Sequence, residues 1–286
     1  MHVCMGFTGG FMGRFLRLVN KGVVAGIALV GWLSGAAPAS AAENVTGDLG
    51  ISYNTHFISY GLDVWGGGTD FYGDRATTFI YGDLFIKVTD SLTISFGAWA
   101  DINRNVPSAI GGSIQEIDVY PGITYTVGMF TLGATYQAWS YAGDVEESID
   151  LSVGFNDMGL IWEGFGFNPK LVWHNRVSGN GAQTVGSAFV ASIGPSFALA
   201  EGLTLSIPAG VAFFTTDDFQ GGIDASGYGY SYAGGSLAYA FGFVPPEYGV
   251  WTINFDLIAY FTDQDAIPTN PENSFLTGSV GLKVAY

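Results

Sequence analysis

The chain has little cysteine, little histidine and little positive charge, and each shortage removes a class of chemistry. Cys4 is the only cysteine in 286 residues, so everything beyond the N-terminal segment lacks a disulfide, a thiolate metal site and a cysteine for lipid attachment. Three histidines, scattered at positions 2, 56 and 174, cannot assemble a transition-metal centre of the usual kind. Nine Lys and Arg stand against 25 Asp and Glu. A polyanion of this sort does not bind nucleic acid by neutralising phosphates, so no nucleic-acid partner is expected. Beyond Ala41 there is also no apolar run long enough to cross a bilayer as a helix. Yet the mean hydropathy is +0.31, charged residues make up only 12% and aromatics 15%, and there are 43 glycines. Lipid tolerates only helices and closed barrels, because backbone polar groups find no water there. An apolar, glycine- and aromatic-rich chain without a spanning helix therefore points to a β-barrel.

The N-terminus reads as an address. Arg14, Arg17 and Lys21 precede an apolar run from Val23 to Leu33, and Ala39-Ser40-Ala41 supplies small residues for cleavage after Ala41. Met12 would start a signal of ordinary length. A retained transmembrane helix is the rival reading, and the run is short for it. The expected division is a signal peptide over 1–41 and one barrel domain over 42–286. Removing the signal takes three of the nine basic residues and no acidic one.

From there the sequence alternates with period two. Leu92, Ile94, Phe96 and Ala98 interleave with Thr93, Ser95 and Gly97; Trp251, Ile253, Phe255 and Leu257 interleave with Thr252, Asn254 and Asp256. This is the strand period. Soluble antiparallel sheets alternate too; the distinguishing mark is repetition over about 10 residues with short turns at every second connection. The pattern predicts an all-β, antiparallel transmembrane β-barrel of about twelve strands, near 49–60, 77–88, 91–102, 114–127, 129–141, 147–157, 167–177, 184–198, 203–215, 228–243, 249–261 and 275–286. Ten strands fit if a hairpin near 147–177 lies outside the wall. Short turns fall at 88–91, 127–129 and 199–202, long connections at 61–76, 102–113, 216–227 and 262–274. An even count puts both termini at one end, the periplasmic one. At the C-terminus, Val280, Leu282, Val284 and Tyr286 alternate with small or polar residues and the chain stops on an aromatic. This resembles the terminal signature by which outer-membrane proteins are recognised for assembly, and it implies the barrel-assembly machinery as a partner.

If the apolar set meets lipid, the other set lines the interior: Asp83 and Lys87, Asp101, Glu116 and Asp118, Asp150, Lys170, His174 and Arg176, Asp256 and Lys283. Charge is tolerated inside a barrel and costly on its lipid face. Ion pairs are expected between Lys87, Lys170, Arg176 and Lys283 and the acids Asp83, Glu116, Asp118 and Asp150. They either brace a packed interior or line a water-filled bore. Tyr53, Phe57, Tyr239, Phe241, Phe243, Trp251 and Tyr286 suit outward aromatic girdles.

Catalytic patterns are missing. Some outer-membrane barrels hydrolyse lipids with a His and a Ser two residues apart on the lipid-facing wall. Ser59 is three residues from His56, His174 is followed by Asn175-Arg176, and both histidines take inward parity. No catalytic, cofactor-binding or metal residue is assigned, and no cofactor is expected. Gly66-Gly67-Gly68 and Gly221-Gly222 lack the following helix of a phosphate site and read as turns. Acidic loops (Asp63, Asp70 and Asp74; Asp144, Glu146 and Glu147; Asp217, Asp218 and Asp224; Asp263, Asp265 and Glu272) read as solvated charge. Bridging through a divalent cation to lipopolysaccharide is the alternative.

The run Gly50 to Gly61, then Tyr81-Gly-Asp-Leu-Phe-Ile-Lys-Val-Thr-Asp-Ser-Leu-Thr-Ile-Ser-Phe-Gly97, is similar in layout to the TorF-type porin family of proteobacteria. That family carries Ser-Asp-Tyr and Arg-Gly on its first strand. Here Asn54-Thr55-His56 and Tyr60-Gly61 occupy those places, and the Arg is missing. The resemblance implies a barrel in outer-membrane lipid with a channel role for small solutes. The composition leaves a second reading open: a closed structural or adhesive barrel with a packed polar interior. An acidic mouth favours cationic or neutral solutes over anions.

Overall fold

A computed structural model describes residues 44–71, 75–180, 185–223 and 225–286. The expected signal and its cleavage site lie outside the described residues, as do Asp74, Asp224 and Thr184. Twelve antiparallel strands form one closed sheet, each paired with its neighbour in sequence and the last with the first. They are β1 (Val45–Asn54), β2 (Thr77–Lys87), β3 (Leu92–Ile102), β4 (Ile114–Val127), β5 (Phe130–Tyr141), β6 (Asp144–Phe155) and β7 (Lys170–Ser178). Next come β8 (Gly186–Ile193, continued by Ser196–Ala200), β9 (Leu203–Ser206, continued by Ala209–Phe214), β10 (Gly227–Ala240), β11 (Val250–Thr262) and β12 (Ser274–Ala285). Among the described residues the only helical element is a short 3-10 turn, Pro246–Tyr248.

The two interrupted strands break at the same level, at Gly194-Pro195 and Ile207-Pro208. Proline has no N–H for the ladder. The carbonyls remain in use: Ile207 N–H donates to Pro195 and Gly234 N–H to Pro208. The seam pairs Asp48 with Ala285 through Asn54 with Ser279. Beyond it, Gly47 and Tyr286 exchange both backbone hydrogen bonds, at 2.9 and 3.0 Å.

The wall is inside-out relative to a soluble protein. Ile51, Phe96, Ile123, Leu132, Leu151, Leu171, Phe213, Leu257 and Val280 are outward and exposed, spread around the sheet. An apolar belt of this extent is stable only against lipid. Val280, Leu282, Val284 and Tyr286 share this outer parity. Both ends of the described barrel lie at one rim, here the terminus end. Most of its turns are short: 88–91, 128–129 and 201–202. The opposite loop end carries 55–76, 103–113, 215–226 and 263–273. Three connections break the expected asymmetry, the nine-residue 241–249 at the terminus end among them. A two-residue turn at Ala142-Gly143 joins β5 to β6 at the loop end, with positive φ at both residues. A fourteen-residue segment, 156–169, joins β6 to β7 at the terminus end.

The largest correction concerns the first strand, expected to run to residue 60. It ends at Asn54, and the chain turns into the barrel. Ile58–Ser59 and Leu62–Asp63 then form a small hairpin of their own. The turn between them, Tyr60-Gly61, takes positive φ at both residues. Phe57, expected in an outer girdle, is buried against Phe79 and Trp99 on the inner wall.

Candidate functional site: the barrel interior

The inner wall divides into two zones. At the loop end the interior is filled. Loop 55–76 reaches across to β7, where the Tyr60 hydroxyl lies 2.7 Å from His174 Nδ1 and the two rings approach to 4.1 Å. The same Nδ1 is 2.6 Å from an Asp150 carboxylate oxygen, and Trp139 stacks on the imidazole. Loop 215–226 meets this hairpin from one side, with the Gln220 amide donating to Ser59 O at 2.9 Å. Loop 263–273 meets it from the other. Asn270 accepts Asp63 N–H at 2.8 Å and donates to Gly61 O at 2.8 Å. Phe219, Phe214, Tyr230, Ala188, Ala212 and Ile267 pack into an apolar cluster against Tyr60 and Leu62. A small hydrophobic core thus sits inside a barrel whose outside is apolar as well.

Buried charge surrounds it. Arg176, 2% exposed, pairs through Nε with Glu146 at 2.6 Å, donates from Nη1 to Phe219 O at 2.7 Å, and lies 4.3 Å over the Phe219 ring. Asp101, fully buried, accepts from Thr77 and, at 3.0 Å, from the Trp65 indole. Asp63 accepts Gly68 N–H at 2.7 Å and lies 4.0 Å from His56. Burial pushes the Asp63 carboxyl above its usual range, against the pull of that backbone donor and of His56. His56 is held between Thr55 and Gly68 O.

Toward the terminus end the inward positions change character. They are Ser95, Thr124, Ser152, Ser236 and Ala238, half-buried, with side chains too short to fill the bore. The larger residues there lie along the wall. Tyr81 is paired across from Gly50 and Tyr120 from Gly97, and a Cβ at either glycine would collide with the facing ring. Glycine here lets a tyrosine lie flat on the neighbouring strand instead of projecting into the lumen. Asp48, Asp83, Asp256 and Lys283 share this zone. Ser279 donates to Asp256 at 2.6 Å.

The eleven residues expected inside do not form one site. Asp101, Glu116, Asp118, Asp150, His174 and Arg176 line the filled zone. Asp83, Asp256 and Lys283 line the other. Lys87 and Lys170 stand exposed at the terminus rim. The expected ion-pair scheme is corrected. Arg176 pairs with Glu146, Lys283 lies 3.9 Å from Asp48, and Lys87 pairs with Asp90 at 2.9 Å in the following turn. Glu116 and Asp118 stand two residues apart on the inner face of β4, beside each other and not against a Lys or Arg. The reason is depth along the strand: alternation gives the face but not the height, and an ion pair needs both. In the sequence Glu146 reads as loop, because β6 starts earlier than its apolar residues suggest. Nothing local in sequence marked Tyr60, Trp139 or Asn270, which meet only through the inward fold of the loops.

No family model matches the chain, and no curated protein does. The TorF-type resemblance therefore has no sequence match behind it. Solved structures do match in shape. An outer membrane channel from Pseudomonas putida F1 aligns with TM-score 0.50 and 12% identity over 87% of this chain and 99% of that one. The NanC porin aligns with TM-score 0.48 and 8% identity over 84% and 98%. At such identities the likeness is one of fold.

Proposed function

We propose that the protein is an outer-membrane channel with a narrow, loop-constricted mouth and a wider polar vestibule toward the terminus end. The observation that carries this reading is the contrast within the lumen. A barrel built only for strength gains from packing its whole interior, whereas here half of it is lined by Ser, Thr, Gly and Ala, with tyrosines lying along the wall. The channel named among its structural neighbours supports the same reading. Inward carboxylates (Asp48, Asp83, Asp101, Glu116, Asp118, Glu146, Asp150 and Asp256) outnumber inward cations, so the bore favours cations and small neutral solutes over anions.

Planar bilayers provide the test. The intact protein should give small, cation-selective conductance steps. Untying the hairpin with Tyr60→Ala and Asn270→Ala should raise the step size several-fold, because both residues anchor the loop that narrows the mouth. Silence from both proteins in folded form removes the channel reading in favour of a closed structural barrel. Anion preference removes the electrostatic part alone.

A further inference from the structure

One strand departs from the small-residue lining of the vestibule. On β2 the inward positions run Phe79, Tyr81, Asp83 and Phe85, so three of four successive places carry a ring. Among the described residues no other strand sets three aromatic rings on its inner face. Inward positions recur at every second residue, about 6.6 Å apart, so the run covers about 20 Å of wall.

The two ends of this run meet different surroundings. On the loop side, Phe79 packs against Trp99 at 4.7 Å and Phe57 at 5.3 Å, within the filled zone. On the terminus side, Phe85 lies open to the vestibule, 37% exposed. Between them the Tyr81 ring lies over Gly50. The Tyr120 ring of β4 lies over Gly97, and the Asp83 carboxylate shares that space. Both tyrosines therefore turn a face toward the lumen. Polar groups flank the rings on the neighbouring strands. On β1, Asp48 stands opposite Asp83 and Thr46 opposite Phe85. On β3, Ser95 stands opposite Phe85. The hydroxyls of Thr46 and Ser95 have no hydrogen-bond partner among the described residues.

We propose that this face is a rail for a neutral saccharide chain, which gives the channel reading a solute class and rests on that reading for transport. A pyranose has an apolar C–H face and a rim of hydroxyls. Stacked on Tyr81, Tyr120 and Phe85, it lays that face on electron-rich rings. Its rim then meets Thr46, Asp48, Asp83 and Ser95, which accept from it or donate to it on both sides. A purely apolar solute would leave those groups facing it without partners, at a cost in unmade hydrogen bonds. A compact organic cation uses the Asp48–Asp83 level alone, where Lys283 already lies 3.9 Å from Asp48. An extended chain uses every level of the rail. Phe85 lies toward the terminus end, so binding there needs no passage through the constricted mouth.

Saturation-transfer NMR on the full barrel in lipid nanodiscs tests this, with cellotriose as the probe. Saturation should reach the pyranose C–H protons. Sorbitol, which has the hydroxyls but no ring, should show none. Tyr81→Ala with Phe85→Ala should weaken cellotriose binding about tenfold, and Tyr81→Phe should keep it. Should the double variant fail to fold, Phe85→Ala alone, at an exposed ring, should still weaken binding about threefold. Equal saturation of sorbitol, or undiminished cellotriose binding in the folded variants, overturns the rail. So does saturation of choline where cellotriose shows none, which assigns the rings to an organic cation. Planar bilayers separate this from the channel reading. Conductance steps without cellotriose binding remove the rail alone, whereas binding to a barrel that stays silent supports the rail and removes transport.

Discussion

The two halves of the lumen are built from the same strands and obey different rules. Toward the loops, inward positions carry Trp, Tyr, His, Phe and paired charge, and three loops converge to bury them. Toward the termini, the same strands carry Ser, Thr, Gly and Ala, and none of the described loops packs against them. A strand can do both because its inner face is independent of the lipid at its back. Only the outer face must stay apolar along its length. The comparison teaches that a barrel can concentrate its packing in one zone and leave the other as space.

If the filled half carries the structural load, damage there should cost most. Arg176→Met leaves Glu146 buried without its partner and should destabilise the barrel by about 3–5 kcal/mol, the usual cost of breaking a buried pair. Urea titration of the membrane-inserted protein reads this directly. The double variant Arg176→Met, Glu146→Gln should recover most of the loss, and a failure to recover would mean that the Phe219 contacts dominate.

If the other half is shaped for space, its variants should alter conductance more than stability. Gly97→Val forces the Tyr120 ring off the wall and into the vestibule. Single-channel conductance should fall by a visible fraction, while the unfolding free energy from urea titration moves by about 1 kcal/mol or less. A large stability loss with unchanged conductance would erase the distinction between the zones.

The smallest expected effect is a difference in sign with pH between the two ends. Asp63, raised by burial, contributes stability that is complete below the unfolded value near ~4 and is lost as pH rises through its folded value. Asp157 is lowered, chiefly by the Asn168 N–H and then by that of Phe167. Its contribution is present above ~4 and is lost as pH falls through its folded value. Spin labels at Thr69 and Glu163 should therefore respond oppositely to acidification, the first becoming less mobile and the second more. Parallel responses would show that neither carboxyl governs its segment.

Much of the wall was legible in the residues themselves. Alternation located twelve strands and the lipid-facing parity of Ile51, Leu132, Leu257 and Val280, because period two is imposed by backbone geometry and an apolar back by lipid. It failed where geometry stops being periodic. The apparent continuation of β1 through Phe57 to Tyr60 alternates well enough to read as strand. Its partners, though, lie inside the barrel on Phe79, Trp99 and His174, far away in sequence. Segment 156–169 had no period to read, and its path depends on Asp157 meeting the N–H groups of Phe167 and Asn168.

By itself, then, the sequence determined the barrel: its class, a count of about twelve strands and the apolar parity of the outer wall. Those follow from local periodicity and from the exclusion of unpaired backbone and of charge from lipid. Tertiary structure alone decided the depth at which each inward residue sits, which acid meets Arg176, and which loops enter the mouth. Height along a closed wall and the path of a loop are set by contacts between residues 209 positions apart, as Gly61 with Asn270 illustrates.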